Sequence, residues 1–281
     1  MAERNLTARD VVFHIRRYSP ERDKSPYIQS FTVPVKPGMT VLEGLHFIRE
    51  TVDQSLAWRY SCRMGVCGSC GMILNGHCTL ACNTQILDIA KGELTVGPLP
   101  NFTILRDLVP DLRPMFEKHL SLKPFVVRED EADVNSPDGE YYQSPHDLEA
   151  YLQFTYCIKC GCCMGACPTL ATDLAYLGPM PLAASYRYNV DTRDVGRKNR
   201  AQAAGAAHGA FRCHYAGECS RVCPKGVDPA KAIQWLKRQL VLDYLHLAKK
   251  QKPCAKQSGP GKLPRDPKIP EAPAYTIEGA K

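Results

Sequence analysis

Residues 157–168, CIKCGCCMGACP, constrain this chain more than any other stretch. Cys157, Cys160, Cys163 and Cys167 stand at the spacing C-x2-C-x2-C-x3-C-P. Residues 213–224, CHYAGECSRVCP, fall on the same template with Cys213, Cys219 and Cys223 in register and Ala216 in the second slot. An earlier group, Cys62, Cys67, Cys70 and Cys82, is spaced C-x4-C-x2-C-x11-C. So many thiols at such short intervals imply either a disulfide framework or bound metal.

The disulfide reading needs an oxidising compartment, yet the opening MAERNLTARDVVF holds no apolar signal segment and no cleavage site. Metal is therefore expected. The C-x4-C-x2-C triplet with a distant fourth cysteine is the plant-type [2Fe–2S] pattern. Soft thiolate sulfur suits iron, and Gly65, Gly68 and Gly71 let backbone N–H groups approach cluster sulfurs. A four-cysteine zinc site is the alternative. It usually takes two short knuckles, and only Cys67 with Cys70 makes one. Cys78, four residues before Cys82, stays a rival ligand by spacing, against the plainer reading of a small buried side chain.

The second run is the bacterial two-cluster pattern, in which the fourth cysteine of each run serves the other cluster. Cys157, Cys160, Cys163 and Cys223 are thus expected to hold a [4Fe–4S] cluster, and Cys167, Cys213 and Cys219 the other. The methyl group of Ala216 supplies no fourth ligand, so that site is expected to be [3Fe–4S]; a labile fourth iron on water or a weak ligand is the alternative. Cys162 and Cys254 are left without a role.

Around these groups the chain reads as α+β. Strands are expected over 11–17, 28–36, 71–74, 79–82 and 94–97, with a tight turn at Asn75 and Gly76. A helix should begin at Thr40, with Glu43 completing its cap. The expected units are 1–108, a 109–145 linker with five prolines, a mainly helical 146–246, and a basic, proline-rich, extended tail over 247–281. In the last helix Asp228 caps, Pro229 starts, and Ile233, Leu236, Leu240 and Tyr244 should share one apolar face. The net charge is +7, but Lys249–Lys281 alone holds eight Lys or Arg against three Asp or Glu, so the body is near balance and no nucleic-acid partner is expected. No stretch reaches the roughly 18–20 apolar residues of a membrane span.

The stretches SCRMGVCGSCGMILNG, PLPNFTILRDLVPD, CIKCGCCMGACP and CHYAGECSRVCPKGVDP resemble the iron–sulfur subunits of succinate:quinone oxidoreductases and fumarate reductases, in the same order. The resemblance implies an N-terminal β-grasp, plant-type ferredoxin domain followed by an all-α, bacterial-ferredoxin-like domain. It implies a flavoprotein partner with covalent FAD that carries the succinate chemistry, a membrane anchor with haem b, and electron flow through [2Fe–2S], [4Fe–4S] and [3Fe–4S] to quinone. It places the chain peripherally on the cytoplasmic face of a prokaryotic plasma membrane. Pro168 and His214 match positions that line the family's quinone pocket. Ubiquinone-reducing members carry a tryptophan shortly after the Cys-Pro dipeptide; here Leu170, Ala171 and Thr172 follow, which points to a menaquinone-type acceptor. A subunit of a different flavoenzyme and a zinc-binding interaction module are the competing readings.

Overall fold

Val11, Phe13 and Ile15 alternate with more exposed neighbours and are fully buried along one face of β1 (Arg9–Arg17). Aromatic and β-branched side chains at period two suit a strand with one covered face. β2 (Tyr27–Val35) buries Phe31, Val33 and Val35 and pairs antiparallel to β1, with Phe13 opposite Phe31. With β3 (Gly71–Leu74), β4 (His77–Leu80) and β5 (Glu93–Gly97) these form one sheet in the order β2-β1-β5-β3-β4. β1 and β5 run parallel, and the other neighbours antiparallel. Asn75 and Gly76 take φ of 45° and 82°, as a two-residue hairpin turn requires. The computed structural model describes residues 7–128, 139–248 and 256–258.

The helix Val41–Thr51 lies over this sheet. Its capping box forms: Glu43 N–H donates to the Thr40 hydroxyl, and Thr40 N–H donates to the Glu43 carboxylate at 2.7 Å. Gly44 sets how closely the helix approaches, since a Cβ there would stand 2.7 Å from Phe13 Cζ. Arg17 then ties the segment before the first cysteine loop to β1. Its guanidinium donates to Asp107 at 2.9 Å, Asp53 at 2.7 Å and the Ser55 hydroxyl at 2.8 Å. Asp107 also accepts from the backbone N–H groups of Tyr18 and Ala57.

A second core gathers around the helices Pro179–Asn189 and Pro229–Tyr244. Asp228 caps the latter by accepting from Lys231 N–H, and Ile233, Leu236 and Leu240 are buried as their spacing foretold. Tyr244, expected on the same face, is 84 % exposed, because the last turn runs beyond the core. Within the expected linker, the helix Arg113–Ser121 feeds Met115 into this second core. The same stretch is pinned by Arg200, which is wholly buried. Arg200 donates to both oxygens of Asp194, at 2.6 and 2.7 Å, and to the carbonyls of Lys123 and Phe125.

The expected tail lies largely outside the described residues, as does Cys254; its residues Lys256–Ser258 pair antiparallel with Gly139–Tyr141. No helix among the described residues is long and apolar enough to cross a membrane.

Two predictions come from these charge networks. Asp194→Ala leaves a buried guanidinium unpaired, so the variant should lose about 3–5 kcal/mol in urea unfolding. Asp53 is the second case. Burial raises its pKa, but hydrogen bonds from Ser55 and Arg17 outweigh that and hold it at about 2. A carboxylate with a depressed folded pKa stabilises above its unfolded value and loses that contribution as pH falls. The stability difference between the parent and Asp53→Asn should therefore be full near pH 6 and shrink as pH falls through about 4 toward 2. Paired unfolding series across that range will read it.

Candidate iron–sulfur centres

The loop between the helix Val41–Thr51 and β3 wraps its cysteines with backbone donors. Arg63, Gly65 and Gly68 sit in the left-handed region, at φ of 60°, 69° and 74°. That coiling turns successive N–H groups inward. Gly65 N–H donates to Cys82 Sγ at 3.2 Å, and Val66 and Cys67 N–H both donate to Cys62 Sγ at 3.3 Å. Cys62 N–H reaches Cys67 Sγ at 3.4 Å. The backbone N–H of Cys62 heads the causes that lower the Cys67 thiol to about 6, whereas burial pushes Cys70, beside Cys82, up to about 12. The structure thus brings Cys62, Cys67, Cys70 and Cys82 together. Cys78 faces elsewhere. It is buried on β4 with its Sγ toward Gly165 of the helical region, and its electrostatic neighbour is Cys160.

The other cysteines divide across the two runs. Cys157, Cys160, Cys163 and Cys223 line one cavity together with apolar Met180, Ala183 and Val227. Cys167, Cys213 and Cys219 line a second, and Ala216 lines it with them. Each cavity therefore takes the fourth cysteine of the opposite run. The two loops share a backbone conformation. Lys159 and Gly161 have φ of 55° and 83°, and Tyr215 and Gly217 have 60° and 77°. Cys160 and Ala216 occupy the same place between these left-handed residues, so the substitution changes a side chain and leaves the loop unchanged.

The donor sets fit iron–sulfur clusters: clustered soft sulfur with backbone N–H groups turned toward it. A buried hydroxyl fits as well. Tyr176 is buried and lines the cavity of Cys167, Cys213 and Cys219, and among the described residues its hydroxyl makes no hydrogen bond of good geometry beyond its approach to Cys213. Burial pushes Cys219 up to about 11 and Cys163 well above the ordinary thiol range. Cys160 differs, because a hydrogen bond from Cys162 lowers it to about 7. Cys162, given no role by its spacing, lies buried beside Cys160. Pro168 lines the second cavity and is exposed; His214 is exposed and does not line it.

Sequence spacing gave no sign of Asn101. Its side-chain amide donates to the carbonyls of Met164, Gly165 and Cys167, each at 3.0 Å, from a backbone φ of 64°. It closes the end of the cysteine helix Cys162–Gly165 from the neighbouring sheet unit. Gly68 and Gly71 complete the contact, since a Cβ would fall 2.9 Å from Cys160 Cα and 2.8 Å from the Cys160 carbonyl oxygen respectively.

The family described as a 2Fe-2S iron-sulfur cluster binding domain matches residues 12–117, and a 4Fe-4S dicluster domain matches 153–227. The fumarate reductase iron-sulfur subunit of Mycobacterium tuberculosis is 46 % identical over 224 residues, covering 80 % of this chain and 90 % of that protein. The fumarate reductase iron-sulfur subunit of Haemophilus influenzae is 38 % identical, covering 82 % and 93 %. The succinate dehydrogenase iron-sulfur subunit of Coxiella burnetii is also 38 % identical, covering 82 % and 97 %. Among solved structures, a chain of the Mycobacterium smegmatis Sdh1 complex in the apo form matches with a TM-score of 0.73 at 26 % identity, over 85 % of this chain and 98 % of that one.

Asn101→Ala should cost about 2–3 kcal/mol, from a hydrogen-bonding group lost against buried carbonyls and a left-handed residue replaced. Asn101→Asp, which sets a carboxylate against three carbonyls, should do no better. Unfolding midpoints and iron per chain will check both.

Proposed function

The chain belongs to the family of iron–sulfur subunits of succinate dehydrogenase and fumarate reductase, and on that premise we propose that it carries electrons between a flavoprotein with covalent FAD and membrane quinone. Its bound centres would supply one-electron carriers in series: [2Fe–2S] on Cys62, Cys67, Cys70 and Cys82, [4Fe–4S] on Cys157, Cys160, Cys163 and Cys223, and [3Fe–4S] on Cys167, Cys213 and Cys219. The single observation that carries this reading is the cavity shared by Cys167, Cys213, Cys219 and Ala216.

The chain's own residues do the rest. The N–H groups of Gly65, Val66 and Cys67 donate to ligand sulfurs and would favour the reduced state of the first site. Ala216 leaves one corner without a ligand. Asn101 and the glycines Gly68 and Gly71 hold the first site close against the second. The sheet unit corresponds to a β-grasp, plant-type ferredoxin domain over 1–108, and the helical unit to a bacterial-ferredoxin-like domain over 146–246. Succinate chemistry belongs to the flavoprotein, as in a succinate dehydrogenase (quinone). Relatives named for either direction of the reaction support that assignment equally. A membrane anchor with haem b is the expected quinone-side partner, at the cytoplasmic face of the membrane. Pro168 is the better candidate of the two quinone-pocket residues, being both exposed and on the cavity wall. The absence of tryptophan over Leu170–Thr172 supports menaquinone over ubiquinone, which acceptor assays on the intact complex will decide.

The air-oxidised complex should show the paramagnetic signal of [3Fe–4S] at about one spin per chain, with the other two centres silent. Ala216→Cys should abolish that signal and raise iron by about one atom per chain, since it restores the fourth thiolate. A silent parent sample that still holds iron would refute the three-thiolate assignment.

A further inference from the structure

The two cavities that gather the cysteines of the paired runs differ in the chemistry of their walls. No side-chain hydroxyl lines the cavity of Cys157, Cys160, Cys163 and Cys223. Thr169 and Tyr176, both buried, line the cavity of Cys167, Cys213 and Cys219. We propose that Tyr176 raises the reduction potential of the second centre, its hydroxyl donating a hydrogen bond to the ligand sulfur of Cys213. This role rests on the assignment of Cys167, Cys213 and Cys219 to [3Fe–4S].

Tyr176 is wholly buried. Its hydroxyl approaches Cys213 and has no other hydrogen-bonding partner among the described residues. A phenylalanine would fill the same space without burying a polar group, and a buried hydroxyl short of partners is costly. The one acceptor within reach is the sulfur. The backbone that carries the ring is fixed from several sides. Tyr176 N–H donates to the Asp173 carbonyl at 3.1 Å, and Leu177 N–H donates to the His208 carbonyl at 2.9 Å. The Lys118 ammonium donates to the carbonyls of Leu174 and Tyr176, at 2.6 and 2.8 Å. The Asp173 carboxylate pairs with His208 at 2.9 Å and Arg212 at 3.1 Å. These contacts tie the segment after Cys167 to the segment before Cys213, and Tyr176 sits between them.

A donor to a ligand sulfur stabilises a centre most when it carries its extra electron, because added negative charge strengthens the bond. The reduced form gains and the potential rises. Tyr215 N–H donates to the same sulfur at 3.4 Å, so Cys213 takes one donor from backbone and one from a side chain. With no hydroxyl in the wall of the other cavity, the effect is confined to the second centre. A higher potential there favours delivery of the electron to the centre that the proposed path places last.

Redox titration of the purified complex at constant pH, followed by EPR, tests the role in Tyr176→Phe, which keeps the ring and loses only the hydroxyl. The oxidised [3Fe–4S] signal should keep the parent's intensity of about one spin per chain. Its midpoint should move to lower potential, while the [4Fe–4S] midpoint stays. A full signal with an unmoved midpoint, or a shift shared equally by both centres, overturns the proposal and leaves the cluster assignment standing. A parent complex without the signal overturns the assignment and the proposal with it. Should Tyr176→Phe lose iron, 3-fluorotyrosine incorporated into the Tyr215→Phe complex decides, since Tyr176 is then the one tyrosine lining the cavity. The more acidic phenol donates more strongly, so the [3Fe–4S] midpoint should rise; no rise overturns the proposal.

Discussion

The joining of the two units depends on the close apposition of the first cysteine loop to the second. Bulky side chains at the contact would hold the two loops apart. Gly68 and Gly71 allow backbone to meet backbone, with Cys160 on the other side. Gly165 does the same for β4, where a Cβ would lie 3.2 Å from Cys78 Sγ. Asn101 then fixes the contact through its side-chain amide, which donates to the carbonyls of Met164, Gly165 and Cys167 at and just beyond the end of the short helix Cys162–Gly165. Cys78 and Cys162 belong to this seam. Both are small and buried: burial raises the Cys78 thiol, and the neighbouring Cys160 followed by burial raises that of Cys162.

The same burial sets a condition on assembly. Several of the clustered cysteines sit where an uncompensated negative charge is disfavoured, Cys163 among them. A thiolate metal site in such surroundings would couple metal binding to the stability of its loops. The exposed first loop relieves part of the cost differently. Its left-handed turns present N–H dipoles to sulfur, and the backbone N–H of Cys62 holds the Cys67 thiol at about 6. The two kinds of site thus meet one electrostatic problem by different means.

Much of this was legible in the residues because it is local. Cysteine spacing, the Thr40 and Asp228 caps, the Asn75–Gly76 turn and the alternation along β1 each depend on neighbours within a few positions. What spacing could not show depends on tertiary proximity. Asn101 meets its acceptors more than sixty residues along the chain. Arg200 reaches back to Lys123 and Phe125, and so turns part of an expected linker into a packed segment. Cys78 could be separated from the ligands only by the register of β4, which sends its side chain toward the other unit. Tyr244 kept the helical period of Leu240 but not its surroundings, since periodicity says nothing of where a core stops.

The internal repeat gives the sharpest link between one residue and one property. Two loops with matching left-handed positions, Lys159 and Gly161 in one and Tyr215 and Gly217 in the other, each lead into a four-residue helix, Cys162–Gly165 and Glu218–Arg221. Backbone of that kind is costly for Lys159 and Tyr215, whose side chains disfavour positive φ. The run that has Ala216 in place of a cysteine keeps the same left-handed positions. It still aims backbone N–H groups inward, as where Tyr215 N–H donates to Cys213 Sγ at 3.4 Å. At the second slot of the repeat the loops differ by the thiol of Cys160 against the methyl of Ala216. The second run thus keeps the loop frame of the first while placing Ala216 where the first has Cys160.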